Sequence, residues 1–197
     1  MNKFLVLVIT TIIIGACNST LPKYKQEIEL CFQSYFQHLS DQEFDKAMTY
    51  LPEDLFSYVS KRSLINSYEE AYKSDDMSFI HYPPTVTRIK DSLKIQDKYY
   101  ALLSFKERMD IVIKFEENIL EETKQEDLKA LKKIYKKRFG SSNVKLNDKD
   151  HFEIKTKKRA YAILNEGEIA AWKFLILEED SRQLLQELLP EKLHNSL

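Results

Sequence analysis

The sequence predicts an α+β protein: N-terminal helices packed on a curved antiparallel sheet, with one helix inserted and one closing the chain. Two observations carry that expectation. Over residues 24–72 apolar side chains recur at steps of three and four, the spacing of one face of a helix. Over residues 99–115 the step becomes two. Ala101, Leu103, Phe105, Met109 and Ile111 hold odd positions, while Ser104, Lys106, Arg108 and Asp110 hold even ones. That alternation marks a long strand with one face buried. Because helices and strands occupy separate stretches, the class is α+β rather than alternating α/β.

The first helix is predicted from Tyr24, Ile28, Cys31, Phe32, Tyr35, Phe36 and Leu39. Ser40–Asp41–Gln42–Glu43 has the spacing of a capping box and predicts a second helix bearing Phe44, Ala47, Met48 and Leu51, ended by Pro52. A short helix or turn over 53–59 follows. Ser60 precedes a third helix with Leu64, Ile65, Tyr68 and Tyr72. Residues 77–82 and 85–90 predict short strands separated by Pro83–Pro84. The long strand of 99–115 is expected to be bent, and its apolar face is interrupted once, at Glu107, its one charged residue among apolar positions. A helix over 121–139 carries Leu128, Leu131, Tyr135 and Phe139, with acids early, bases late and Gly140 as its C-terminal cap. A loop through Asp148 leads to strands at 152–164 and 169–177, joined by a hairpin at Asn165–Glu166–Gly167. Asp180–Ser181 starts the last helix, with Leu184, Leu185, Leu188 and Leu189, and Pro190 stops it.

The chain has 197 residues, a formal net charge of −1 and only three glycines. Near-neutral charge excludes a dedicated nucleic-acid binder, which carries a strongly basic face or pI. So few glycines leave no phosphate loop or dinucleotide fingerprint, and no G-x-S-x-G elbow is present.

The amino terminus reads as an address. Lys3 is followed by residues 4–14, apolar apart from Thr10 and Thr11, then by Gly15, Ala16 and Cys17. A charged start, an apolar run of roughly 7–15 residues and small residues at its end describe a secretory signal peptide. A membrane-spanning helix needs about 20 apolar residues, so the run is too short for one. Ile14–Gly15–Ala16–Cys17 further resembles the lipobox of bacterial lipoproteins. That resemblance implies a signal peptide over 1–16, cleavage between Ala16 and Cys17, and lipid on the Cys17 thiol and new amino group. Residues 17–22 then form a lipidated tether, and 23–197 a single α+β domain. Two or three acyl chains on Cys17 would hold the domain at a bilayer permanently. Cleavage removes Lys3, one positive charge, and takes the net charge from −1 to −2. Surface-displayed lipoproteins of Bacteroidota resemble one another in acids just after the cysteine. Residues 18–23 lack them, which points to the periplasmic side, on the inner or the outer membrane.

Cys31, on the apolar face of the first helix, is the only other cysteine. It reads as a small buried hydrophobe, with an intermolecular disulfide or a reactive thiol as the alternatives. Leading helices followed by long antiparallel strands look like the cone-shaped NTF2-like superfamily. "AAWKFLILEED" and "LLQELLPEKL" look similar to uncharacterised lipoproteins of Bacteroidota. The helix over 121–139 departs from the minimal NTF2-like pattern; a cystatin-like or another helix-plus-sheet fold is the alternative. The superfamily resemblance implies a pocket between helices and sheet, in which its enzymes place an aspartate, histidine or tyrosine.

Two residues are candidates for such chemistry here. Glu107, on the apolar face of the long strand, would be a general base if buried, unless a bulge or bend turns it outward. His81, between Ile80 and Tyr82, is a pocket base or a surface histidine at a strand end. The other histidines, 38, 151 and 194, are scattered, and no pair has metal-ligand spacing; no metal and no cofactor is expected. Lys129, Lys132, Lys133, Lys136, Lys137 and Arg138 form a basic cluster: a solvated helix face balanced by nearby acids, or a contact for anionic lipid. The expected function is a non-enzymatic, membrane-anchored envelope lipoprotein binding a small apolar ligand or a protein partner. A pocket enzyme using Glu107 or His81, or an accessory subunit of an envelope complex, are the rivals.

Overall fold

The structure, a computed structural model, describes residues 22–147, 149–168 and 172–196. The expected signal peptide over 1–16, the expected cleavage and lipidation positions Ala16 and Cys17, nearly all of the expected tether over 17–22 and the start of the second hairpin strand lie outside these residues. The helices of the N-terminal half are α1 (Lys23–Ser40), α2 (Phe44–Met48) and α3 (Lys61–Tyr72). They are followed by β1 (Met77–His81), β2 (Thr85–Ile89), β3 (Leu93–Ile95) and β4 (Lys98–Ile113). The chain then forms α4 (Glu121–Phe139), β5 (Val144–Leu146), β6 (His151–Asn165), β7 (Lys173–Ile176) and α5 (Arg182–Leu188). Short 3-10 turns occupy Glu53–Ser57, Glu179–Ser181 and Glu191–Ser196.

One antiparallel sheet collects the described strands. β4 and β6 lie at its centre, paired without interruption from Lys98 opposite Asn165 to Val112 opposite His151. β1, β2 and β3 follow one another along the free edge of β4, while β5 and β7 share the far edge of β6. Pro83–Pro84 separates β1 from β2 because proline cannot donate to a ladder. Thr87 is an extra residue in β2 that bulges the pairing.

Side-chain parity along β4 and β6 defines two faces. Odd positions of β4 and even positions of β6 form an inner face, and the complement forms an outer face. At one end of the inner face, α1 lays down Ile28, Phe32, Tyr35, Phe36 and Leu39 against Leu103, Phe105 and Phe174. Phe32 is fully buried and its ring centroid lies 5.0 Å from Phe36, 4.8 Å from Phe105 and 5.0 Å from Phe174, the separations of edge-to-face aromatic packing. At the other end, α4 sets Leu128 on Ile111, Val144, Phe152 and Ile154. Gly140 closes α4 at φ +91°, its N–H donating to the Lys136 carbonyl, as the cap reading expected.

Four details differ from the sequence reading. The capping box does not form. Ser40 turns its hydroxyl to the His81 carbonyl at 3.5 Å, and Glu43 is held by His38 and Lys46, each at 2.6 Å. A tertiary partner takes Ser40 and sequence neighbours take Glu43, and α2 is left as five residues. β3 and β5 lie in stretches read as connections; three residues are too few for a period-two signal. The outer face is not uniformly polar. α5 and the turn after it press Leu185, Leu189 and Leu193 onto Tyr100, Leu102, Tyr161 and Ile163. Tyr99 and Tyr100, adjacent in sequence and on opposite faces, therefore pack against opposite cores.

Phe32 carries contacts from α1, β4 and β7 together. Phe32→Ala is expected to lower the unfolding free energy by about 3–5 kcal/mol, read from the shift of the denaturant midpoint at unchanged slope.

Candidate functional site

The two inner-face cores touch where the rings of Tyr72 and Phe79 lie 6.0 Å apart. On the central strands, between the core of α1–α3 and the core under α4, lies a polar rung: Glu107 of β4 opposite Thr156 of β6, with Lys158 one step diagonal. β4 runs through this rung without a bulge against β6, so Glu107 keeps the inner parity that its odd position predicts. Its side chain is 15% exposed, and its Oε2 lies 3.0 Å from Lys158 Nζ and accepts from Thr156 Oγ1 at 3.5 Å. Lys158 Nζ also reaches Glu178 Oε1 at 2.9 Å. Glu178 continues the inner parity of β7 just past that strand's end. Burial pulls the Lys158 ammonium down, but the two carboxylates outweigh it and hold it above the usual lysine range.

Tyrosines and a histidine surround this pair. Tyr35 and Tyr68 are pushed up, first by burial, and the Glu107 charge adds to both. Tyr72 is pushed up to about 12 by burial. His81, opposite Met109 on β1, shares the inner face. Its ring stacks on Tyr72 with centroids 5.9 Å apart. Burial lowers it below the ordinary 6.5 despite the opposing Glu107 charge.

Both sequence candidates thus lie on the inner face, yet they open onto different clefts. Glu107 and Thr156 line one of about 530 Å³ with Thr85 and Asn143. His81 lines another of about 680 Å³ with Leu30, Phe36 and Ser40. Pro83 borders both. The space a cone-shaped pocket would occupy is filled by the rings around Phe32. A smaller cleft of about 210 Å³ beside Asp54 and Lys98 is spanned by their 2.7 Å ion pair.

The buried acid among the described residues is one the sequence reading left on the polar face. Asp110 is 5% exposed and accepts from the Tyr82 hydroxyl at 3.0 Å and from Arg108 at 3.2 Å. Arg108 also pairs with Glu153 at 3.0 Å and lies 4.3 Å from the Tyr82 ring centroid. Every charge in this network is matched, as burial requires. The i, i+2 spacing of Arg108 and Asp110 was the available signal.

Cys31 is half-buried beside the aromatic core and free of disulfide; burial pushes its thiol up. Among the described residues no group of three or more His, Cys, Asp and Glu converges as metal ligands would. No described helix is long and apolar enough to cross a membrane. Lys129, Lys132, Lys133, Lys136, Lys137 and Arg138 of α4 form no ion pair among the described residues; the acids expected to balance them sit at or before the start of the helix, where another lysine, Lys124, pairs with Asp150. No family model matches the chain, and no curated protein matches it.

Two measurements probe this seam. Lys158→Met leaves the half-buried Glu107 without its cation and should cost about 1–3 kcal/mol of stability, part of which Glu107→Gln in the same chain restores in a double-mutant cycle. His81 has a lowered folded-state value, so the unfolded chain takes up its proton first. Its contribution is full above the ordinary 6.5 and is lost as the pH falls from there through the lowered value. The stability difference between wild type and His81→Gln should therefore shrink on acidification, as followed by thermal unfolding across that range.

Proposed function

We propose that this chain is a bacterial envelope lipoprotein, anchored by lipid on Cys17 and facing the periplasm, whose NTF2-like domain is a non-enzymatic binding module. The carrying observation is Ile14–Gly15–Ala16–Cys17 at the end of a short apolar run, with the first helix of the fold starting six positions later at Lys23. Helices leading into long antiparallel strands support the superfamily assignment. Binding is favoured over catalysis because the two candidate bases are both occupied. Glu107 is neutralised by Lys158, and His81 is stacked on Tyr72 and opens on a separate cleft. An envelope protein suits this domain better than a small apolar ligand, since aromatic rings fill the inner face.

A pocket enzyme remains the second reading, favoured by one fact: Glu107 and His81 share the inner face. Mass spectrometry of the protein extracted from membranes tests the anchor, with a diacylated Cys17 and no residues 1–16 expected. An unmodified Cys17 or an intact leader overturns it. Cys17→Ser should move the protein out of the membrane-bound lipidated pool. A partner recovered equally with wild type, Glu107→Gln and His81→Gln supports the binding reading; a small molecule lost from both variants supports the pocket reading.

A further inference from the structure

The outer face of the sheet carries cations where a sheet ordinarily avoids them. Beyond the part covered by α5, Ser104 is flanked by Arg88 on β2 and Arg159 on β6. On the next same-face rung Lys106 stands opposite Lys157. All four cations are exposed, and none of their side chains has an ion pair or hydrogen bond among the described residues. Like charges directly opposite one another on a ladder are destabilising. Strands lie about 4.8 Å apart and same-face rungs about 7 Å apart, so the four charges share a patch of roughly 10 by 7 Å. The next rung is different: Arg108 and Lys155 are answered by Asp110 and Glu153. The acids bordering the other side, Glu178 and Glu179, share a groove with Arg159 and Arg182 and pair with neither.

This patch also lies close to the beginning of the fold. Lys25 and Tyr24, in the first turn of α1, bind the Asp91 carboxylate at 2.7 Å and 3.3 Å. Asp91 is three residues beyond Arg88. From Cys17 to Lys23 is six residues, a reach of at most about 20 Å. Lys90 N–H donates to the Leu102 carbonyl, so Lys106 is four residues along β4 from this corner, about 13 Å. The basic residues of α4 are carried by a helix whose apolar face packs on Ile111, some 30 Å along β4 from this corner by the same measure.

We infer that Arg88, Lys106, Lys157 and Arg159 form a docking surface for the anionic phospholipid head groups of the bilayer to which the chain is tethered. Lipid phosphates supply the counter-charge that the ladder lacks, at a spacing set by strands rather than by flexible loops. The domain is thereby held with its sheet face against the membrane. The assignment rests on the anchored reading for its source of lipid, and on the sheet alone for its chemistry.

The full chain, reconstituted in vesicles of phosphatidylcholine alone or mixed equally with phosphatidylglycerol, is treated with an amine-acylating reagent and read lysine by lysine by mass spectrometry. Lys106 and Lys157 should be acylated severalfold more slowly on the anionic vesicles and regain their rate at high salt, while Lys129 and Lys133 of α4 do not change. Equal rates on both vesicles, or protection on α4 in place of the sheet, overturn the assignment. So does equal protection by inorganic phosphate without vesicles, which marks a free-phosphate site. Partition of the full chain onto the same vesicles separates the two readings. Binding to neutral vesicles reports the anchor; the gain on anionic vesicles reports the face and should fall roughly tenfold in Arg88→Gln/Arg159→Gln. Loss of neutral binding with the gain intact sinks the anchor alone. An unchanged gain in the variant sinks the docking surface alone.

Discussion

The β4–β6 ladder is the constraint on which the rest depends. Its register runs unbroken over most of both strands, and side chains alternate with a period of two. A slip of one residue would therefore exchange the two faces entirely. It would turn Phe105 and Ala160 outward and set Lys106 and Lys157 against Phe32. The buried rings of α1 enforce the register from one side and the leucines of α5 from the other. Both act on the same end of the ladder, and the α4 core fixes the other end through Ile111, Phe152 and Ile154.

Given that register, the Glu107–Lys158 pair follows from parity. A charged residue among apolar neighbours must bulge out, lose its charge or find a partner. Here the partner is already on the facing strand at the same parity, and Glu178 extends the pairing. The pair also marks where the α1–α3 core ends and the α4 core begins. That division explains why the helix over 121–139 can be inserted without disturbing the aromatic core: it covers a separate stretch of the same face.

Much of the site was legible in the sequence, though not its meaning. Glu107 and His81 stand out as polar residues in apolar surroundings, and both do lie on the inner face. What the sequence did not disclose was occupancy. Lys158 sits in the run Lys157–Lys158–Arg159, where nothing but strand parity separates the one inward lysine from its outward neighbours. Asp110 was equally hidden, because its burial depends on Tyr82 and Arg108 arriving from an adjacent strand and from the next same-face position. The capping box at Ser40 and Glu43 failed for a related reason: each side chain had a tertiary or neighbouring partner at least as good as the helix end.

Periodicity, turn residues and caps act within about a dozen residues, so the chain by itself determined the α+β class, the main helices, the two long strands and the Gly140 cap. The same local logic carries the lipobox expectation at Cys17. Only the tertiary structure decided which residues share a face: that Tyr100 is covered by α5, that Glu107 meets Lys158, and that four cations from three strands gather on one uncovered patch. Those outcomes are set by register between segments 50 residues apart and by which helix covers which stretch, and no local pattern encodes either.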